Sequence, residues 1–171
     1  MELKERAGIV TAHGKPLTLL GPDVDVGDDA PEFRVVDGQF HEVKLSDFAG
    51  KRVLISAVPS LDTGVCAAQT RRFNEEADSL PEGVVVLTIS QDLPFAQSRF
   101  CDMENVKQIR VLSDHVWREF GTRYGVLIKE NALLARSIFV ISARGKIIYR
   151  EIVPELTDHP KYDEALAAAQ Q

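Results

Sequence analysis

Cysteine is scarce in this sequence, and its placement removes several chemistries. Only two occur in 171 residues, Cys66 and Cys101. They lie too far apart for a C-x-x-C redox motif or for the close pairs of a zinc site. His13, His41, His115 and His159 are scattered, with no i, i+4 pair to set two ligands on one helical face. Neither a metal nor any other cofactor is expected. Basic excess is lacking too: 20 Lys and Arg stand against 26 Asp and Glu, a net charge of -6. A nucleic-acid surface gathers cations on one face, so DNA and RNA are discounted as partners. Long apolar runs are missing. Val53 to Leu61 is the longest, far short of a bilayer span. Glu2, Lys4, Glu5 and Arg6 stand where a signal peptide would be apolar, so a cytoplasmic protein without membrane contact is expected. With no repeat, linker or compositional bias, residues 1–171 read as one domain, with 1–22 as an amino-terminal hairpin extension.

The residues that are present alternate between strand and helix patterns. Gly8 to Leu20 carries β-type residues on both sides of His13-Gly14-Lys15-Pro16, a hairpin that decorates the domain. Val53 to Val58 is short, apolar and partly β-branched, and Pro59 halts it, as expected of a buried strand. Cys66, Thr70, Phe73 and Ala77 then recur at helical spacing among polar residues, which places Cys66 in the first turn of an amphipathic helix. Val84 to Ile89 reads as a second buried strand, with Asp92 capping a helix that runs to about Cys101. A strand at Val111-Leu112, a helix from Asp114 to Phe120, a hairpin of 137–142 and 146–152, and a last helix opened by Pro160 complete an α/β fold. Its mixed sheet is flanked by helices.

A right-handed strand-helix-strand crossover makes strands 53–58 and 84–89 parallel. Cys66 then lies at their shared carboxyl edge, whereas Cys101 ends a helix that runs away from it. About ten helical residues rise roughly 15 Å, and a disulfide needs Cα atoms within about 7 Å. Joining the two cysteines therefore requires local unwinding.

Pro59-Ser60-Leu61-Asp62-Thr63-Gly64-Val65-Cys66 resembles the peroxiredoxin active-site pattern P-x-x-x-T-x-x-C. Gly27 to Phe33, Leu45 to Lys51 and Leu112-Ser113-Asp114 also resemble peroxiredoxin segments, so the resemblance covers nearly the whole chain. The hairpin, Gln97-Ser98-Arg99-Phe100-Cys101 and Leu133-Leu134-Ala135-Arg136 are similar to the thiol peroxidase branch, the atypical two-cysteine peroxiredoxins. That resemblance implies a thioredoxin-like fold, a homodimer, hydroperoxide substrates, a peroxidatic Cys66, a resolving Cys101 in the same subunit and thioredoxin as reductant. It also implies that Pro59 shields the sulfur while Thr63 and Arg136 contact it and the peroxide. The chain departs from many relatives at Asp102-Met103-Glu104, where they carry a glycine, and in a short loop into Arg136.

Elementary chemistry fits these implied roles. The thiolate is the nucleophile, and a helix amino terminus favours an anion by only about 0.3 to 1 kcal/mol. Donors aimed at the peroxide oxygens as the O–O bond lengthens are expected to contribute more, since losing one commonly costs about 100-fold. Thr63, Arg136 and the Cys66 N–H are the candidates. Plainer readings stand beside them: an isolated cysteine is usually a small buried hydrophobe, Thr63 is equally a helix cap, and Arg136 alone reads as a surface ion-pair residue. A thioredoxin-like disulfide exchanger is disfavoured by the absence of C-x-x-C. A redox-sensing interaction module using the same disulfide as a switch stays open as the alternative.

Overall fold

The computed structural model describes residues 2–171. In chain order its elements are β1 (Glu5–Ala12), β2 (Lys15–Leu20), β3 (Arg34–Val36), β4 (Glu42–Lys44), a 3-10 turn (Leu45–Phe48), β5 (Arg52–Ala57), α1 (Gly64–Ala77) and β6 (Val84–Ser90). There follow α2 (Pro94–Glu104), β7 (Arg110–Ser113), α3 (Glu119–Arg123), β8 (Leu127–Ile128), β9 (Ser137–Ile141), β10 (Ile147–Ile152) and α4 (Tyr162–Gln170). Seven strands form one mixed sheet in the order β10-β9-β5-β6-β7-β3-β4, and β1-β2-β8 form a small separate sheet. The expected mixed sheet with flanking helices and an amino-terminal hairpin is thus present.

The central strands follow from strand periodicity. Successive side chains of β5 point to opposite faces, and both faces are apolar. Val53, Ile55 and Ala57 enter one core cluster with Leu87, Ile89, Phe139 and the aromatic group Phe33, Phe120 and Tyr124. Leu54 enters the other with Val86, Ile138, Val140, Phe73 of α1 and Ala165, Leu166 and Ala169 of α4. A strand buried on both sides reads as a continuous apolar run, which is why it was legible. Strands β5 and β6 pair in parallel, with Leu54 opposite Val86 and Ala57 opposite Ile89. Their carboxyl ends therefore share one edge, and α1 and α2 both begin there.

Two helix starts differ from expectation. Asp92 does not cap α2: Leu93 is the N-cap, and Pro94 occupies the first turn, where its missing N–H costs nothing. The Asp92 carboxylate faces the loop after β5 instead. The third helix spans Glu119–Arg123, not 114–120. Asp114 is fully buried and its carboxylate accepts the N–H groups of Phe120 and Gly121 at 3.0 and 2.9 Å, so it draws the helix start toward itself across a loop. Helix α2 also runs past Cys101, ending at Glu104 with Asn105 in the left-handed region at φ 54°.

The hairpin does more than decorate the domain. Arg6 is buried and donates to the Gly125 carbonyl at 2.8 Å. Gly125 has φ +65°, and a Cβ there would stand 1.9 Å from the Pro22 carbonyl oxygen, so only glycine allows this approach. At the hairpin's other end, Thr11 N–H donates to the Pro154 carbonyl at 2.8 Å and Leu156 N–H to the Thr11 carbonyl at 2.9 Å. Strand β1 thereby fixes the segment that follows β10.

Candidate active site

Helix α1 starts at Gly64 with Thr63 as its N-cap, and Cys66 lies in its first turn. The first helical bond runs from Ala67 N–H to the Thr63 carbonyl at 3.0 Å, so the preceding amides, Cys66 N–H included, project from the helix end as donors. Cys66 is fully buried and packs with Val58 and Leu61, with Phe100 of α2 against them. Pro59 is buried two residues beyond the end of β5.

Arg136 reaches Cys66 from the start of β9. Only 2% exposed, it donates from Nη2 to Cys66 Sγ at 3.3 Å. The same nitrogen donates to the Leu156 carbonyl at 2.8 Å, Nε donates to that carbonyl at 3.1 Å, and Nη1 donates to Gln69 Oε1 at 2.9 Å. A buried guanidinium is strongly unfavourable unless paired and hydrogen-bonded. Here two neutral acceptors, the Leu156 carbonyl and Gln69 Oε1, orient it through three hydrogen bonds while leaving its charge uncompensated by any carboxylate among these partners. The sulfur, 3.3 Å away, is the remaining group that faces this oriented donor, and a charge acts on a buried neighbour with less screening than in water.

Sequence reasoning missed two of these partners. Gln69 sits among polar residues in the sequence, yet it is fully buried and donates from Nε2 to Ser56 Oγ at 2.7 Å. Its signal was position: three residues after Cys66, it shares the inward helix face. Leu156 acts through its carbonyl, which no side-chain pattern reveals. Thr63 is exposed, and its hydroxyl makes no capping bond; it donates back to the Ser60 carbonyl at 3.1 Å. Thr63 therefore stands at the start of α1 with its hydroxyl hydrogen bond directed to the Ser60 carbonyl and not to the sulfur.

Cys101 lies on α2, half-buried, and packs against the other core cluster, the one containing Leu54 and Phe73. Both cysteines are free thiols. Phe100 contacts both clusters and so stands between them. Burial, with Asp102 next to it, pushes the Cys101 thiol up to about 11. A cavity of about 270 Å³ runs between the Cys66 loop and α2, walled by Leu61, Thr63, Ala67, Phe100 and Met103. No helix of the described residues is long and apolar enough to cross a membrane.

Comparison with known proteins agrees with this arrangement. The Redoxin family profile matches residues 25–166. Thiol peroxidase of Listeria innocua is 53% identical over 95% of this chain and 98% of its own length. Thiol peroxidase of Bacillus subtilis is 51% identical over 94% of this chain and 95% of its own. Among solved structures, a peroxiredoxin-like protein from Aquifex aeolicus superposes with a TM-score of 0.89 at 41% identity, covering 99% of this chain and 98% of that one. Thiol peroxidase from Chromobacterium violaceum gives 0.80 at 28% identity, covering 91% of each chain. The chain belongs to the Redoxin family, as a thiol peroxidase with a thioredoxin-like fold.

Proposed function

We propose that Cys66 is the residue that reduces the hydroperoxide and that Cys101 resolves it within the same subunit. The observation that carries this reading is the Arg136 to Cys66 hydrogen bond inside a dry site at a helix amino terminus. The Cys66 thiolate attacks the terminal peroxide oxygen, an S–O bond forms, the O–O bond breaks, and the leaving oxygen takes a proton to become water or an alcohol. Negative charge moves from sulfur to the departing oxygen. Arg136 and the Cys66 N–H are placed to follow it, and such donors contribute most where water is excluded. Thr63 joins them once substrate enters, by turning its hydroxyl from the Ser60 carbonyl. Pro59 keeps bulk water off the sulfur.

Cys101 then displaces the sulfenic oxygen as water and closes a Cys66–Cys101 disulfide, which thioredoxin reduces. Leu61, Phe100 and Met103, on one part of a cavity that Asp62, Arg99 and Glu104 also line, offer the organic part of an alkyl hydroperoxide an apolar contact that hydrogen peroxide does not need. Exposed Leu93, Phe95 and Met103, at the start and along the length of α2, support a homodimer, and the reducing cytoplasm suits a disulfide that exists only in turnover.

Stopped-flow consumption of cumene hydroperoxide tests the assignment. Cys66→Ser is expected to abolish turnover, whereas Cys101→Ser keeps one stoichiometric reaction and loses recycling in an assay coupled through NADPH, thioredoxin reductase and thioredoxin. Undiminished turnover by Cys66→Ser refutes it.

A further inference from the structure

One carboxylate ties the loop that delivers Cys66 to the root of the helix that carries Cys101. Asp92 Oδ1 accepts from Ser60 Oγ at 2.7 Å, and Oδ2 accepts from Leu61 N–H at 2.8 Å and from Ser90 Oγ at 2.7 Å. Its carbonyl accepts from Ser113 Oγ at 2.6 Å, and its N–H donates to Ser90 Oγ at 3.3 Å. The loop end of this cluster is itself braced, since Thr63 donates to the Ser60 carbonyl through both N–H and hydroxyl. Among the described residues no cation pairs with Asp92. Its oxygens serve only neutral donors from the Cys66 loop and the end of β6, while its backbone is held by β7, two residues before α2 begins.

We propose that Asp92 is a positioning residue that holds the Cys66 loop in the folded arrangement, and thereby sets how a Cys66 sulfenic acid divides between disulfide formation and further oxidation. The proposal rests on the reading of Cys101 as the resolving residue. With the loop released, the Cys101 thiolate attacks the Cys66 sulfur, an S–S bond forms, and the S–O bond breaks to release water. With the loop held, a second hydroperoxide adds another oxygen to that sulfur, giving the sulfinic acid and one more alcohol. The same grip therefore aids the first oxidation and hinders resolution, so loosening it moves the two steps in opposite directions. General destabilisation of the fold gives no such opposition, because it slows the first oxidation without protecting the sulfenic acid.

A hydrogen bond to a charged group is worth on the order of ten-fold in the ratio of held to released loop. Asp92→Asn cannot accept from both Ser60 and Leu61 in the same way, and Ser60→Ala removes one bond to Asp92, together with the one Ser60 Oγ accepts from Asp62 N–H at 3.2 Å, while leaving the carboxylate in place. Rapid-quench mass spectrometry on the full chain, titrated with cumene hydroperoxide, reads disulfide and sulfinic acid directly. For both variants the expected result is slower oxidation of Cys66, faster disulfide formation, and a peroxide concentration for half-maximal sulfinic acid raised about ten-fold for Asp92→Asn and less for Ser60→Ala. Ser60→Ala carries the test if Asp92→Asn fails to fold. An unchanged or lowered sulfinic midpoint in the folded variants, with wild type forming the Cys66–Cys101 disulfide, overturns the proposal. Wild type forming no such disulfide overturns the resolving role of Cys101 first, and this inference with it.

Discussion

Replacing Gln69 by leucine separates the two ways in which Arg136 can serve Cys66. Leucine keeps most of the volume on the buried face of α1 but removes the acceptor for Arg136 Nη1 at 2.9 Å and the donor to Ser56 Oγ at 2.7 Å. A hydrogen bond to a charged group contributes about 1.5 to 3 kcal/mol. At about 1.4 kcal/mol per factor of ten, a guanidinium freed to swing from its productive position loses roughly 10- to 100-fold in peroxide reactivity. The Leu156 carbonyl still holds Nε and Nη2, so the loss stops short of that for removing Arg136. The positive charge stays within the site, and an attack that needs only the thiolate is affected less.

The assay compares two electrophiles in the same variant. Second-order rates of Cys66 oxidation by cumene hydroperoxide and of its alkylation by iodoacetamide are measured in a Cys101→Ser background. We expect Gln69→Leu to slow the peroxide reaction by 10- to 100-fold and alkylation by less than about three-fold, because only the peroxide develops charge on an oxygen that the oriented guanidinium stabilises. The buried Ser56 hydroxyl left without its partner costs about 1–3 kcal/mol, and the charged Arg136 Nη1 costs more, each kcal/mol shifting Tm by about 2–4 °C in a domain of this size. The two rates are therefore compared at a temperature where circular dichroism shows the variant folded. Equal slowing of both reagents would refute the argument by showing that Gln69 acts on sulfur ionisation alone. Peroxide reactivity within two-fold of wild type would refute it by showing that Leu156 suffices.

Two further perturbations probe the frame around the site. Burial raises the Asp114 carboxyl to about 7 despite donors from Phe120, Gly121 and Gln91, against an ordinary value of about 3.9. A group raised in the folded state contributes stability that is complete below the unfolded value and lost as pH rises through the folded one. The advantage of Asp114→Asn over wild type in urea unfolding should thus grow between about pH 4 and 7, by at most about 4 kcal/mol; a difference flat with pH contradicts the burial argument. Glu155 is held down to about 2 by the Gly14 and Thr157 amides, and its Oε1 also accepts from Thr11 Oγ1. Glu155→Gln should speed hydrogen exchange at the Thr11 and Leu156 amides and slow peroxide reduction a few-fold, through looser support of the carbonyl that orients Arg136; unchanged exchange would detach the hairpin from the site.

What the sequence disclosed and what it hid divide along physical lines. The strand at 53–58 was legible as a continuous apolar run ended by Pro59, and the first turn bearing Cys66 because one buried helix face imposes a period. Cys66, Pro59 and Thr63 were legible because they stand within eight residues of one another and resemble a known pattern. Strands β3, β4 and β8 escaped, since segments of three, three and two residues carry no period. Asp92, read as a cap, and Asp114, read as the start of a helix, were misread for one reason: each spends its carboxylate on groups that only the folded chain brings near. Gln69 and the Leu156 carbonyl belong to the same class. Every residue that supports Arg136 comes from a different segment, and separation in sequence leaves no local trace of such a network.

The two cysteines make opposite demands on the same architecture. Cys66 reacts through burial: its donors are fixed only while the first turn of α1 stays wound and Phe100 covers it. Cys101 is suppressed by burial, since a thiol held at about 11 is thiolate in only about one molecule in ten thousand at pH 7. Returning it to an ordinary value near 8.5 by unwinding α2 raises that fraction about 300-fold. Unwinding thus brings the second sulfur closer and also activates it. A folded protein therefore keeps its second thiol nearly inert until the helix that buries it opens, so on the proposed pathway closing the disulfide is governed by helix opening and Cys101 ionisation together, not by distance alone.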